Sequence, residues 1–148
     1  LLSSGRFDEF GQLMRASHNG DRVCALTGTE MMEIQSPCDD VYLESLIADL
    51  RSEDPSRVFA AQLQQQPGGY ACSTKEADFI VDTAMGVPGV IGGQLSGAGL
   101  GGCVMILAKQ EAITAVQDRL NEEYYSPRGL SSGITVCVPV AGSMVIEI

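Results

Sequence analysis

Phe7, Phe10, Leu13 and Met14 recur at helical spacing, and the small Ser17 continues their face. This predicts a first helix entered at Ser4 or Gly5 and closed by Asn19-Gly20, with Asp8 and Glu9 in the first turn, where the helix dipole favours acids. Asp21–Gln35 shows no clear period, and its Met31, Met32 and Ile34 read as core or partner contacts. Ser36-Pro37 then has the form of an N-cap followed by proline at the first helical position. The helix it opens is expected to bury Leu43, Leu46, Ile47 and Leu50. Asp54-Pro55 repeats the device and opens a third helix through Val58, Phe59 and Leu63, which Pro67-Gly68-Gly69 stops. Residues 36–66 therefore read as a helical hairpin.

Ser73-Thr74-Lys75-Glu76 has the form of a capping box for a fourth helix, with Ala77, Ile80, Val81 and Ala84 on one face and Gly86 beyond its end. There the pattern changes. No charge occurs from Thr83 to Ala108, and Gly86–Ala108 holds 8 of the chain's 17 glycines, too many for a stable apolar helix across a membrane. The stretch reads as a strand at Ile91–Leu95, a glycine loop at Ser96–Gly102 and a buried-type strand at Val104–Ala108. Gln110–Tyr125 follows as a helix with Ile113, Val116, Leu120 and Tyr124 inward, ended by Pro127-Arg128-Gly129. Ile134–Val140 and Met144–Ile148 read as strands around an Ala141-Gly142-Ser143 turn. The predicted fold class is α+β: a ferredoxin-like sandwich whose four-stranded, mostly antiparallel sheet carries helices on one face.

At 148 residues the chain makes one domain with a single core. It opens on Leu1 in a segment that already resembles a helix entry, so a piece of a longer protein is expected. A net charge of −10 disfavours nucleic acid and anionic membranes as partners. Cys24, Cys38, Cys72, Cys103 and Cys137 are odd in number and widely spaced, without a metal-binding pattern, which predicts free thiols in a reducing cytoplasm. No residue is nominated as a metal ligand. Asp39 and Asp40 read as a helix cap rather than an acid pair. His18, the single histidine, reads as a helix-end residue facing carbonyls when protonated.

Gly97, Gly99 and Gly102 formally spell GxGxxG, but a strand follows where a dinucleotide site needs a helix, so that reading is rejected. Two readings of the loop stay open: close packing against another backbone, or a nest of amides for an anion. Ser96 supplies its only polar side chain. Tyr70, on a turn after two glycines, is either a packing anchor or a ligand contact.

Leu95-Ser96-Gly97-Ala98-Gly99-Leu100-Gly101-Gly102-Cys103 resembles the third motif of the GHMP kinases. Two further segments are similar to the galactokinase branch: Phe10-Gly11-Gln12-Leu13-Met14-Arg15-Ala16-Ser17-His18, like its FG-x-LM-x-x-SH helix, and Tyr70-Ala71-Cys72-Ser73-Thr74-Lys75-Glu76-Ala77-Asp78, like its YxVSxPELD segment. Cys72, Lys75 and Ala77 depart from the latter, and a helical insertion of about residues 21–69 separates the two. The resemblance implies the C-terminal domain of an ATP-dependent sugar kinase acting on an anomeric hydroxyl. It implies that Ser96, Gly97, Ala98, Gly99, Leu100, Gly101 and Gly102 help shape the ATP phosphate pocket, and that Tyr70 lies nearest the sugar. Mg²⁺ would arrive with the nucleotide. The family's catalytic aspartate and arginine are expected in an N-terminal domain outside these residues, so this chain alone is expected to be inactive and to dimerise through the bared face. Rival expectations are a silent sugar or nucleotide sensor of the same fold, and a kinase of another sugar or small alcohol.

Overall fold

A computed structural model describes residues 4–35, 38–97, 99 and 102–138. Helix α1 runs Phe7–Asp21, with Asp8 and Glu9 in its first turn and Arg6 paired to Glu9 at 3.2 Å. Met14 is buried, whereas Phe7 stays exposed. Glycine lets α1 lie directly on the strand below it. A β-carbon on Gly11 would stand 2.3 Å from the Ile91 carbonyl oxygen, and one on Gly92 would stand 2.8 Å from Gly11 Cα.

The stretch without a clear period forms an antiparallel hairpin, β1 (Cys24–Thr27) with β2 (Glu30–Glu33), turned at Gly28 with φ +65°. The region expected as a helical insertion thus begins with β structure. Helix α2 spans Asp40–Leu50 and is capped by Asp39, whose carboxylate accepts the Tyr42 N–H at 2.8 Å. The cap expected at Ser36-Pro37 falls on residues outside those described, and Asp39 does that work. Helix α3 (Pro55–Ala60) is capped by Asp54 with Pro55 at its start, as predicted. The face of α2 expected to be buried is not: Leu43, Ile47 and Leu50 are each exposed by nearly half. Polar links rather than a core hold this pair, with Arg57 on Asp49 and the Tyr42 hydroxyl donating to Gln66 at 2.8 Å.

Helix α4 (Lys75–Met85) is capped by Thr74, one residue beyond the predicted Ser73: its hydroxyl oxygen accepts the Ala77 N–H at 3.2 Å, while the Ser73 N–H donates to the Asp21 carbonyl at 2.8 Å. Its predicted inner residues Ala77, Val81 and Ala84 are buried. Strands β3 (Val90–Ser96) and β4 (Cys103–Ala108) form the predicted hairpin, pairing Leu95 with Val104 and Ser96 with Cys103. Helix α5 (Ile113–Leu120) buries Val116 and Leu120 against Ala84 and Val87, with Ile80, Val90, Ile106, Tyr125 and Ile134 around them. A π-helical turn at Asn121–Tyr125 extends it, and the backbone reverses at Gly129, φ +63°.

The architecture is α+β. Among the described residues the strands form two separate two-stranded antiparallel sheets rather than the expected sheet of four. Residues 134–138 carry no strand, and Val136 and Val138 are exposed. The remainder of the two predicted C-terminal strands, 139–148, lies outside the described residues. Among the described residues no helix is long and apolar enough to cross a membrane.

Candidate functional site

Pairing of Ser96 with Cys103 closes β3 and β4 at the root of the glycine loop. Gly97 and Gly99 hold φ of +90° and +84°, a left-handed backbone that glycine adopts without steric cost. They use that freedom differently. Gly97 is exposed, with nothing within 4 Å of where a side chain would start. Gly99 is seated on the chain beneath it: a β-carbon there would stand 1.9 Å from the Cys72 carbonyl oxygen. Ala98, Leu100 and Gly101 lie outside the described residues. Gly102 is exposed and Ser96 half-buried.

Cys72 belongs to the Tyr70–Ser73 segment, so the fold brings together two stretches singled out in the sequence. That segment is fastened to the end of α1. The Ala71 N–H donates to the Gly20 carbonyl at 3.0 Å, and the Ser73 N–H to that of Asp21. Gly20 permits this, since a β-carbon there would stand 2.4 Å from the Gly68 nitrogen. Ala71 between them has φ +48°, a strained conformation for a residue other than glycine. The Cys72 thiol contacts the Asp21 carboxylate at 3.3 Å, and burial together with that carboxylate pushes its pKa up. Tyr70 is 77% exposed, its ring over Gly68.

His18 departs from its expected role. It is 1% exposed and turns into the protein rather than toward carbonyls at the helix end. Its Nδ1 accepts the Leu95 N–H at 3.3 Å, and its Nε2 faces Asp78 Oδ1 at 3.4 Å. Burial, then the nearby Arg22, hold the ring's pKa below the ordinary histidine value. Asp78 is wholly buried, and its Oδ2 accepts the N–H groups of Val23 and Cys24 at 2.9 and 2.8 Å. One helical turn on, Asp82 receives both terminal nitrogens of Arg22, at 2.8 and 2.7 Å, and the Leu26 N–H at 2.8 Å. The two acids of α4 thereby anchor β1. The signal for the His18–Asp78 contact was present: these residues end the two galactokinase-like segments.

Two shallow clefts, of about 360 and 490 Å³, lie along α1 and share Gln12 and Arg15. Neither is lined by Tyr70 or by the glycine loop. Among the described residues no three His, Cys, Asp or Glu side chains group as a metal site. All five cysteines are free. The loop is thus joined to the Tyr70–Ser73 segment through Gly99 and Cys72.

Residues 43–126, more than half of the chain, match the family model described as GHMP kinases C terminal. The chain belongs to the GHMP kinase C-terminal family. The match starts inside α2 and ends beyond α5, so it contains both Tyr70 and the glycine loop. A galactokinase of Roseiflexus sp. (strain RS-1) is 34% identical over 68 residues, which are 46% of this chain and 17% of that protein. A galactokinase of Thermosipho africanus (strain TCF52B) is 38% identical over 61 residues, 41% of this chain and 17% of the relative. That of Bos taurus is 36% identical over 56 residues, 38% of this chain and 14% of the relative. This GHMP kinase C-terminal chain thus spans less than a fifth of the length of the curated relatives it matches. No solved structure gives a significant match.

Proposed function

We propose that this chain is the C-terminal part of an ATP-dependent, galactokinase-like kinase that phosphorylates the anomeric hydroxyl of a sugar. The observation that carries it is the seating of Gly99 on Cys72, which sets the glycine loop against the Tyr70 segment. Phosphoryl transfer asks mostly for positioning and charge stabilisation. Gly97 is exposed and has no side chain to bar phosphate oxygens from the loop backbone, and an uncharged loop adds no repulsion. ATP supplies the transferable phosphoryl group and carries Mg²⁺ with it. Ser96–Gly102 orients the phosphates, and Tyr70 holds a sugar hydroxyl through its own exposed one. The base and the charge-stabilising cation lie in a part of the protein outside these residues, so the 148-residue chain is inactive by itself.

The test uses the full-length parent. Tyr70→Phe should raise the KM for sugar by about tenfold, the worth of one hydrogen bond, and leave that for ATP alone. Gly99→Ala should do the reverse. Binding of sugar and nucleotide by calorimetry without turnover would mark a silent sensor, and binding of neither would overturn the assignment.

A further inference from the structure

Three of the hydrogen bonds made by the last turn of α1 serve the proposed site. The Gly20 and Asp21 carbonyls hold Ala71 and Ser73, the chain on which Gly99 sits. The third is His18, whose Nδ1 takes the N–H of Leu95, the residue before Ser96. One helix end thus fixes both the root of the glycine loop and the platform under its tip.

The direction of the third bond sets the ring's proton. Nδ1 accepts, so the neutral ring carries its hydrogen on Nε2, toward Asp78 Oδ1. A protonated ring would present a second N–H to the Leu95 N–H, donor against donor. We propose that His18 is a positioning residue for the glycine loop, and that losing its Nδ1 acceptor, by substitution or by protonation, unseats the loop root and weakens nucleotide binding. The nucleotide half of this statement rests on the function proposed above; the loop half does not. The charged groups facing His18 are Asp78 and Asp82 from α4, Asp21 from its own helix and Arg22 just beyond it; β3 brings none. Burial and Arg22 prevail over the three carboxylates, so the ring is neutral at pH 7 and protonates only in acid.

Two variants separate acceptor from bulk. His18→Asn keeps an acceptor near the Nδ1 position; His18→Leu keeps volume and loses it. Amide hydrogen exchange of this chain, normalised to intrinsic rates, is the primary readout. His18→Leu should speed exchange at Leu95 by about tenfold, the effect of one lost buried hydrogen bond, with Val116 and Leu120 unchanged and His18→Asn close to wild type. As pH is lowered from 7.5 to the onset of acid unfolding, the wild type should lose protection at Leu95 before the chain as a whole and His18→Asn should not; that comparison decides alone if the leucine variant does not fold. Unaltered exchange at Leu95, or equal acceleration throughout the chain, overturns the proposal. In the full-length parent, His18→Leu should raise the KM for ATP about tenfold with a smaller change in kcat. Faster exchange with unmoved ATP affinity would overturn the nucleotide link and leave the attachment of the loop standing.

Discussion

Replacing Asp78 with alanine tests whether the acids of α4 hold the β1–β2 hairpin in place. The side chain is wholly buried, and its Oδ2 serves two backbone donors, Val23 and Cys24. Each donor left without a partner costs about 1–3 kcal/mol, with Cys24 at the upper end because its bond is buried and Val23 at the lower. The vacated space adds to this, and relief from burying a carboxylate offsets part of it. A net loss of about 4 kcal/mol is expected, a large share of a domain's ordinary 5–15 kcal/mol. Asp78→Asn keeps one acceptor and should lose about half as much. Urea unfolding followed by circular dichroism measures both. Glu33→Ala is the control: its pair with Lys75, 3.4 Å apart, is largely exposed and should cost less than about 0.5 kcal/mol. An Asp78→Ala loss below about 1 kcal/mol would refute the reasoning, since it would mean that Val23 and Cys24 find other acceptors at no cost.

Further predictions concern pH, the loop and the core. The folded pKa of His18 lies below its unfolded value of 6.5, so the unfolded chain takes up that proton first as pH falls. His18 therefore contributes its full stability above 6.5 and loses it as pH drops toward the folded value, by at most about 1.4 kcal/mol per pH unit; His18→Asn should flatten that part of the urea-midpoint profile. Gly97→Ala, at an open site, should cost about 1 kcal/mol for its left-handed backbone, while Gly99→Ala should cost at least about twice that because Cys72 must also move; thermal unfolding ranks the two. Leu120→Ala, deep in the core, should cost about 2–5 kcal/mol, and Leu50→Ala on the bare face of α2 less than half of that, by urea unfolding.

Much of the fold was legible from local pattern. The glycine hairpin, the cores of α1, α4 and α5 and the Asp54-Pro55 start all follow from periodicity, caps and punctuation. Two features escaped for a common reason: they are set by distant residues. Strands β1 and β2 are four residues each, with β2 bounded by Glu30 and Glu33, and they are held by Asp78 and Asp82 some fifty residues away. The buried state of His18 comes from Asp78 and from Leu95, the latter 77 residues away. The cap of α4 differs by one residue, between the adjacent hydroxyls of Ser73 and Thr74, either of which has the chemistry to cap. Helix α2 illustrates the converse. An apolar stripe shows which side chains favour leaving water, and whether a partner is there to receive them depends on the rest of the structure. The site divides along the same line: motif resemblance nominated Tyr70 and Ser96–Gly102, and the contact of Gly99 with Cys72 is what joins them.

Gly11 and Gly92 meet backbone to backbone, with no side chain between them. Rotamer changes usually absorb small shifts where a helix rests on a sheet; here that cushion is absent, and α1 and β3 can only travel as one piece. Whatever shifts α1 therefore carries Ser96, the root of the glycine loop, along with it.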